Sequence, residues 1–133
     1  MTDYFNVSLS DDALRGISAL GLAHMGDCVY EILVRTWLCV HGRVTSKGLH
    51  RDTVTYVSSP AQARAAEKLM PHLTAQELAV YRRGRNAKVN SVPHNSNFSE
   101  YHASTGLEAL FGWLWLRGER NRINELFAIV MEE

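Results

Sequence analysis

The sequence predicts an all-α protein. Three observations carry that reading: apolar residues recur at three- and four-residue spacing in each long segment, strand-like alternation is scarce, and only three prolines and nine glycines interrupt the chain. A length of 133 residues suits one domain, spanning 1–133, with a single core and no large second module. Fourteen basic and fourteen acidic residues cancel, so no global basic field announces nucleic acid or membrane, and any such partner must be held by a local patch. The amino terminus has neither a basic leader nor an apolar stretch of signal-peptide length, and no run reaches the roughly 18 apolar residues of a membrane span. The expected location is cytoplasmic, with no membrane partner. Cys28 and Cys39 are too far apart on one helix to bridge and are expected to be packed, reduced thiols.

The elements follow in order. Ser8 or Ser10 caps a first helix carrying Leu14, Ile17 and Leu20, and Gly21 separates it from a helix running to about Val40, which His41-Gly42 ends. On that helix Leu22, Met25, Val29, Ile32, Leu33 and Val40 line one face. The segment from Thr45 to Ser58 has strand propensity in Thr53–Val57, yet Leu49, Thr53, Tyr56 and Val57 share a helical face and no partner strand is in sight, so a helix is expected. Ser59-Pro60 reads as N-cap and first helical position of a helix to about Met70, closed by Pro71. Thr74 and Glu77 form a capping-box pattern for a helix with Leu78 and Tyr81 inward, ending near Gly84. Asn90–Asn97 is a turn-rich loop, and Asn97 with Glu100 caps the next helix. A last helix turns Ile123, Leu126, Phe127, Val130 and Met131 inward.

Two acids break these patterns. Asp27 falls on a second apolar stripe with Ala23, Val34 and Leu38, and Glu108 is the one acid in the apolar run Leu107–Leu116. An ionised carboxylate in such surroundings needs a hydrogen bond, a counter-charge or a metal. The plainer readings are an ion-paired acid at Asp27 and a capping box from Thr105 to Glu108; the second requires a helix starting at Thr105, in competition with Asn97. If the two helices cross, both carboxylates face one hard cation, and Gly26 and Gly112 let the backbones approach. Oxygen ligands favour magnesium, with manganese as a substitute; no histidines are paired at ligand spacing, so zinc is disfavoured. Glu31, one turn from Asp27, is either a further metal ligand or the partner of Arg35 in an i, i+4 pair.

The segment Arg82-Arg83-Gly84-Arg85-Asn86-Ala87-Lys88 holds four positive charges in seven residues and no acid. Cations at a helix end oppose the negative pole of the dipole, but four of them with Asn86 exceed what a cap needs and point to phosphate contacts. A second basic stretch, Arg43 to Arg51 with Lys47 and His50, offers weaker candidates: Lys47, His50 and Arg51 either track the same duplex or are ordinary surface residues. Trp113 and Trp115 sit inside an apolar helix and read as core or subunit interface, not as base-stacking platforms. A divalent ion beside arginines suits attack of an activated water on a phosphodiester.

Leu22-Ala23-His24-Met25-Gly26-Asp27-Cys28-Val29-Tyr30-Glu31, Arg83-Gly84-Arg85-Asn86-Ala87-Lys88 and Ser104-Thr105-Gly106-Leu107-Glu108-Ala109-Leu110-Phe111-Gly112 together resemble the Mini-ribonuclease III family, ribonuclease III catalytic domains that lack the double-stranded-RNA-binding domain. The resemblance covers nearly the whole chain in order. It implies a helical ribonuclease III-type fold and a homodimer. It also implies that Asp27 stands for the signature aspartate and Glu108 for the essential glutamate, both binding magnesium directly or through water. Full-length ribonuclease III has acids where this chain has Ala23 and Thr105; the thinner set also resembles Mini-ribonuclease III and leaves the metal count open, one ion or two. The expected activity is magnesium-dependent endonucleolytic cleavage of double-stranded RNA, leaving 5'-phosphate and 3'-hydroxyl ends. The implied substrate is the precursor of 23S ribosomal RNA, with a ribosomal protein on the substrate as a possible aid. The competing reading is a ribonuclease III-like module that binds RNA for assembly without cutting it, against which the two acids speak. A helical protein-interaction module would instead show an exposed apolar face and no basic stretch.

Overall fold

The computed structural model describes residues 1–43, 45–87 and 97–133, and among them there is no strand. The helices are α1 (Asp11–Arg15), α2 (Ala19–Val40), α3 (Ser46–Val57), α4 (Ser59–Leu69), a 3-10 turn (Met70–His72), α5 (Ala75–Arg85), α6 (Phe98–Arg117) and α7 (Arg120–Val130). The all-α expectation holds. Lys88 and the stretch expected to form a loop lie outside the described residues, except for Asn97.

Short polar side chains set the boundaries. Ser10 caps α1, and Ser18 caps α2 by accepting from the Gly21 amide at 3.0 Å. The break therefore falls at Gly16–Ser18 and not at Gly21, because Ser18 offers the side-chain acceptor that Gly21 lacks. Likewise Ser58, not Ser59, caps α4, so that Ser59 and Pro60 fill its first turn, where a missing N–H costs nothing. Thr74 and Glu77 form the expected capping box. The Asn97 side chain accepts from the Glu100 amide at 2.7 Å, which starts α6 at Phe98. Thr105 then lies inside the helix, its hydroxyl donating to the Tyr101 carbonyl at 3.0 Å, and the capping-box reading of Glu108 falls.

The axis of the fold is α6. Every residue from Ser104 to Leu114 is buried except Glu108, as expected of a helix enclosed on all sides. Against it α2 presses Leu22, Val29, Tyr30 and Val34, with the Tyr30 ring edge-on to Phe111 at 5.3 Å and to Phe127 at 6.0 Å. From the other sides come Ala65, Ala66 and Leu69 of α4, Val80 and Tyr81 of α5, and Ile123, Leu126 and Phe127 of α7. The contact stripe of α2 runs through Gly26 and Tyr30, which turns Ile32 (51% exposed) and Val40 (75%) outward, contrary to their expected inward place. Cys28 and Cys39 share that outward side and are exposed thiols, not packed ones. Among the described residues no helix is long and apolar enough to cross a membrane.

Candidate active site

The site is made by two missing side chains. A Cβ on Gly26 would stand 1.6 Å from the Glu108 carbonyl oxygen, and one on Gly112 would stand 2.0 Å from the carbonyl oxygen of Leu22. Backbone atoms cannot yield such distances, so α2 and α6 cross at these glycines because neither has a side chain. The crossing brings the Asp27 side chain, from α2, into hydrogen-bonding contact with that of Glu108, from α6.

The two acids divide the environment between them. Asp27 is exposed, so the second apolar stripe was misassigned at that position: Ala23, Val34 and Leu38 are buried, while Asp27 opens to solvent at the rim. Glu108 is the half-buried partner. Burial pushes its carboxyl up first, the Asp27 charge and their shared hydrogen bond push it further, a hydrogen bond from Gln62 opposes them, and the result is about 8. Among the described residues no Lys or Arg is ion-paired with either acid. Two carboxylates so placed must share a proton or a cation.

The donor set suits a hard cation. Two carboxylates and no imidazole or thiolate fit magnesium or manganese, which take oxygen ligands and retain water, and do not fit zinc. Among the described residues no cluster of three or more His, Cys, Asp or Glu is poised for a metal. Glu31 is engaged elsewhere: Arg35 holds it at 2.6 Å, the ordinary i, i+4 arrangement.

One neighbour of the acids went unnoticed in the sequence. Gln62 is 1% exposed; its Nε2 donates to the Val57 carbonyl at 3.2 Å, its Oε1 accepts from the Ser104 hydroxyl at 2.6 Å, and its amide acts to lower the Glu108 carboxyl that burial raises. The cue was present, since Gln62 occupies the apolar stripe of α4 that Ala65, Ala66 and Leu69 continue.

The basic segment is fixed nearby by a second close crossing. A Cβ on Gly84 would lie 3.0 Å from Cα of Gly106, and one on Gly106 would lie 2.8 Å from the Tyr81 carbonyl. The carboxyl end of α5 therefore docks on α6 within one turn of Glu108. Arg82, Arg83, Arg85 and Asn86 are all exposed there, and among the described residues none of the three arginines is ion-paired. Asn86 ends α5 and accepts from Arg85 Nε at 3.3 Å. The second basic stretch is less free. Asp52, just beyond it, pairs with Arg43 at 2.8 Å and with Arg51 at 3.4 Å, which lowers the claim of Arg51, while Lys47 and His50 are exposed on α3.

Residues 20–119, from the start of α2 to just past the end of α6, match the model of the Ribonuclease III domain family. The chain belongs to that family. Among its relatives are proteins named Mini-ribonuclease 3, for example from Symbiobacterium thermophilum (48% identical over 80% of this chain and 82% of the relative) and Brevibacillus brevis (43% over 86% and 88%). A crystal structure of a Fusobacterium nucleatum protein, 24% identical, superimposes with a TM-score of 0.79 over 87% of this chain and 94% of that one, a likeness of fold. The chain is thus an endoribonuclease of the Mini-ribonuclease III type, in a family that acts on double-stranded RNA. In this ribonuclease III domain the tryptophans are structural: Trp113 is 7% exposed with the Arg117 guanidinium 4.5 Å over its ring, and Arg120 covers Trp115 at 4.0 Å.

Proposed function

We propose that residues 1–133 act as one catalytic unit, a magnesium-dependent endoribonuclease that cuts both strands of an RNA duplex. The observation that carries the proposal is the Asp27–Glu108 contact, which no basic residue among the described residues neutralises. Asp27 and Glu108 are the ligands of the ion, directly or through water, with manganese an acceptable substitute. Once bound, a divalent ion makes a water more acidic and stabilises negative charge on the phosphate oxygens. Glu108 is half-buried while Asp27 stands exposed at the rim, so the pair presents its oxygens to a backbone lying across the α2–α6 crossing. Water oxygen bonds to phosphorus, the bond from phosphorus to the 3' oxygen breaks, and a proton passes to that oxygen, leaving a 5'-phosphate and a 3'-hydroxyl.

Arg82, Arg83, Arg85 and Asn86, with Lys88, contact phosphates and set the duplex over the acids; Lys47 and His50 on α3 extend the track. Such contacts read backbone shape and 2'-hydroxyls, not bases. A homodimer places one site on each strand, since the strands of a duplex are related by local dyads. The outward side of α2, where Ile32, Cys28 and Cys39 are exposed, supports pairing with a second copy. The substrate we infer is the base-paired stem of the cytoplasmic 23S ribosomal RNA precursor, presented with a ribosomal protein already seated on it. Incubating the protein with an end-labelled RNA duplex, with and without magnesium, tests the reading: discrete products with magnesium alone support it, and retention without products would assign a binding module instead.

A further inference from the structure

Buried glutamines are uncommon enough to need a reason, and Gln62 has its hydrogen-bonding groups committed in one direction. The Val57 carbonyl can only accept, so the side of the Gln62 amide that faces it must be Nε2. That choice fixes the flip: Oε1 faces Ser104, whose hydroxyl donates to it at 2.6 Å. Nε2 has two hydrogens. One is spent on Val57, at the carboxyl end of α3, and the other is left for the Glu108 side chain, which follows Ser104 by one turn of α6 and whose carboxyl the Gln62 amide pulls down. Reversing the amide would set two acceptors against each other at Val57. Ser104 stands one turn before Glu108 on α6, so the same helix that carries the acid also supplies the hydroxyl that orients its donor.

The geometry points to Gln62 as the positioning residue for Glu108. Its amide, locked by Val57 and Ser104, holds the glutamate oxygens in one orientation toward Asp27 and so sets how well the pair grips a divalent ion. The inference rests on the metal-dependent reading above. It makes Gln62 an outer partner of a metal ligand, acting through Glu108 and touching neither ion nor RNA, a class of residue whose loss typically lowers metal affinity or activity about 10- to 100-fold.

The test is direct titration of the metal-free protein with manganese ions by calorimetry, for wild type, Gln62→Met and Ser104→Ala. RNA-duplex affinity without metal, the turnover rate with magnesium, and thermal melting are measured on the same samples. Gln62→Met keeps the length of the side chain and removes its donor. It is expected to bind manganese at least about tenfold more weakly and to lose a comparable factor in kcat, with unchanged duplex affinity and cooperative melting. Ser104→Ala releases only one end of the amide and is expected to lose about threefold in manganese affinity, a fraction of that full outer-partner loss. Wild-type manganese affinity in a folded Gln62→Met protein overturns the inference. Should Gln62→Met not fold, unchanged manganese affinity in Ser104→Ala overturns it. Flat titrations for all three proteins would remove the metal reading itself and this inference with it, an outcome distinct from a loss confined to the variants.

Discussion

Gly26 and Glu108 meet backbone to backbone: the Glu108 carbonyl oxygen lies 1.6 Å from where a Cβ on Gly26 would be. Gly112 is held by the same crossing, with the Leu22 carbonyl oxygen 2.0 Å from its own absent Cβ. The two catalytic candidates are therefore joined through the part of the helices least able to move. Gly112→Ala must wedge α2 from α6, and it is expected to cost about 3 kcal/mol or more of stability, at the upper end of overpacking effects. Urea unfolding checks this; a variant as stable as wild type would show that the crossing has slack.

The raised carboxyl of Glu108 makes a pH prediction for the metal-free protein. Its folded value is about 8 against an ordinary 4.5, so between these limits the folded state holds a proton that the unfolded state has released. The Glu108 contribution to stability is full below about 4.5, falls as pH rises toward 8, and levels off above. Glu108→Gln abolishes that slope and at pH 8 is expected to be more stable than wild type by up to about 4 kcal/mol, with a higher Tm. Melting curves from pH 5 to 9 in a chelator decide; parallel curves for the two proteins would contradict the prediction.

Arg82, Arg83 and Arg85 are expected to act on binding and not on chemistry. Replacing any one with Ala raises the duplex Kd and lowers the salt slope of log K by about one, leaving single-turnover cleavage at saturating enzyme within a few-fold of wild type. Binding isotherms at several salt concentrations measure it, and an unchanged slope would remove the residue from the phosphate track.

Glu77 and Arg122 form a second critical pair, of structural rather than catalytic kind. Glu77 is 4% exposed, and Arg122 grips it through two bonds of 2.8 and 2.9 Å while donating to the His72 carbonyl at 2.8 Å, which ties α7 to the start of α5. The guanidinium holds the Glu77 carboxyl below its usual range, so the stabilisation is present above about 4.5 and is lost as pH falls through the lowered value. Arg122→Met leaves that buried charge unpaired and is expected to cost about 3 kcal/mol at pH 7, narrowing in acid. Denaturation at pH 7 and pH 3 measures both; equal losses at the two would assign the effect to packing.

What was legible in the sequence is what local rules encode. Thr74 with Glu77, Asn97 with Glu100 and the apolar spacing of α6 each announce themselves within a few residues, and the one acid in an enclosed helix drew attention to Glu108. The errors came where tertiary contact overrides pattern. The stripe through Ile32 and Val40 looks as apolar as the true one, and only the Gly26–Gly112 crossing decides which side of α2 faces α6; that choice also moved Asp27 from the interior to the rim. Glu77 read as a cap because its cap is local, whereas Arg122 lies on another helix. Gln62 was missed for the same reason: its partners Val57, Ser104 and Glu108 come from two other helices, and a lone amide on an apolar stripe is a weaker signal than a lone charge.

The most direct measurement of the central claim is single-turnover cleavage of an end-labelled RNA duplex by Asp27→Asn in magnesium, with duplex affinity and thermal melting recorded for the same protein. Asn keeps the size of the side chain and removes the negative charge that the ion requires. Wild-type affinity, a cooperative fold and a cleavage rate lowered by about a thousandfold or more are expected, as for loss of roughly 4 kcal/mol of transition-state stabilisation. Cleavage by Asp27→Asn at the wild-type rate would contradict the claim.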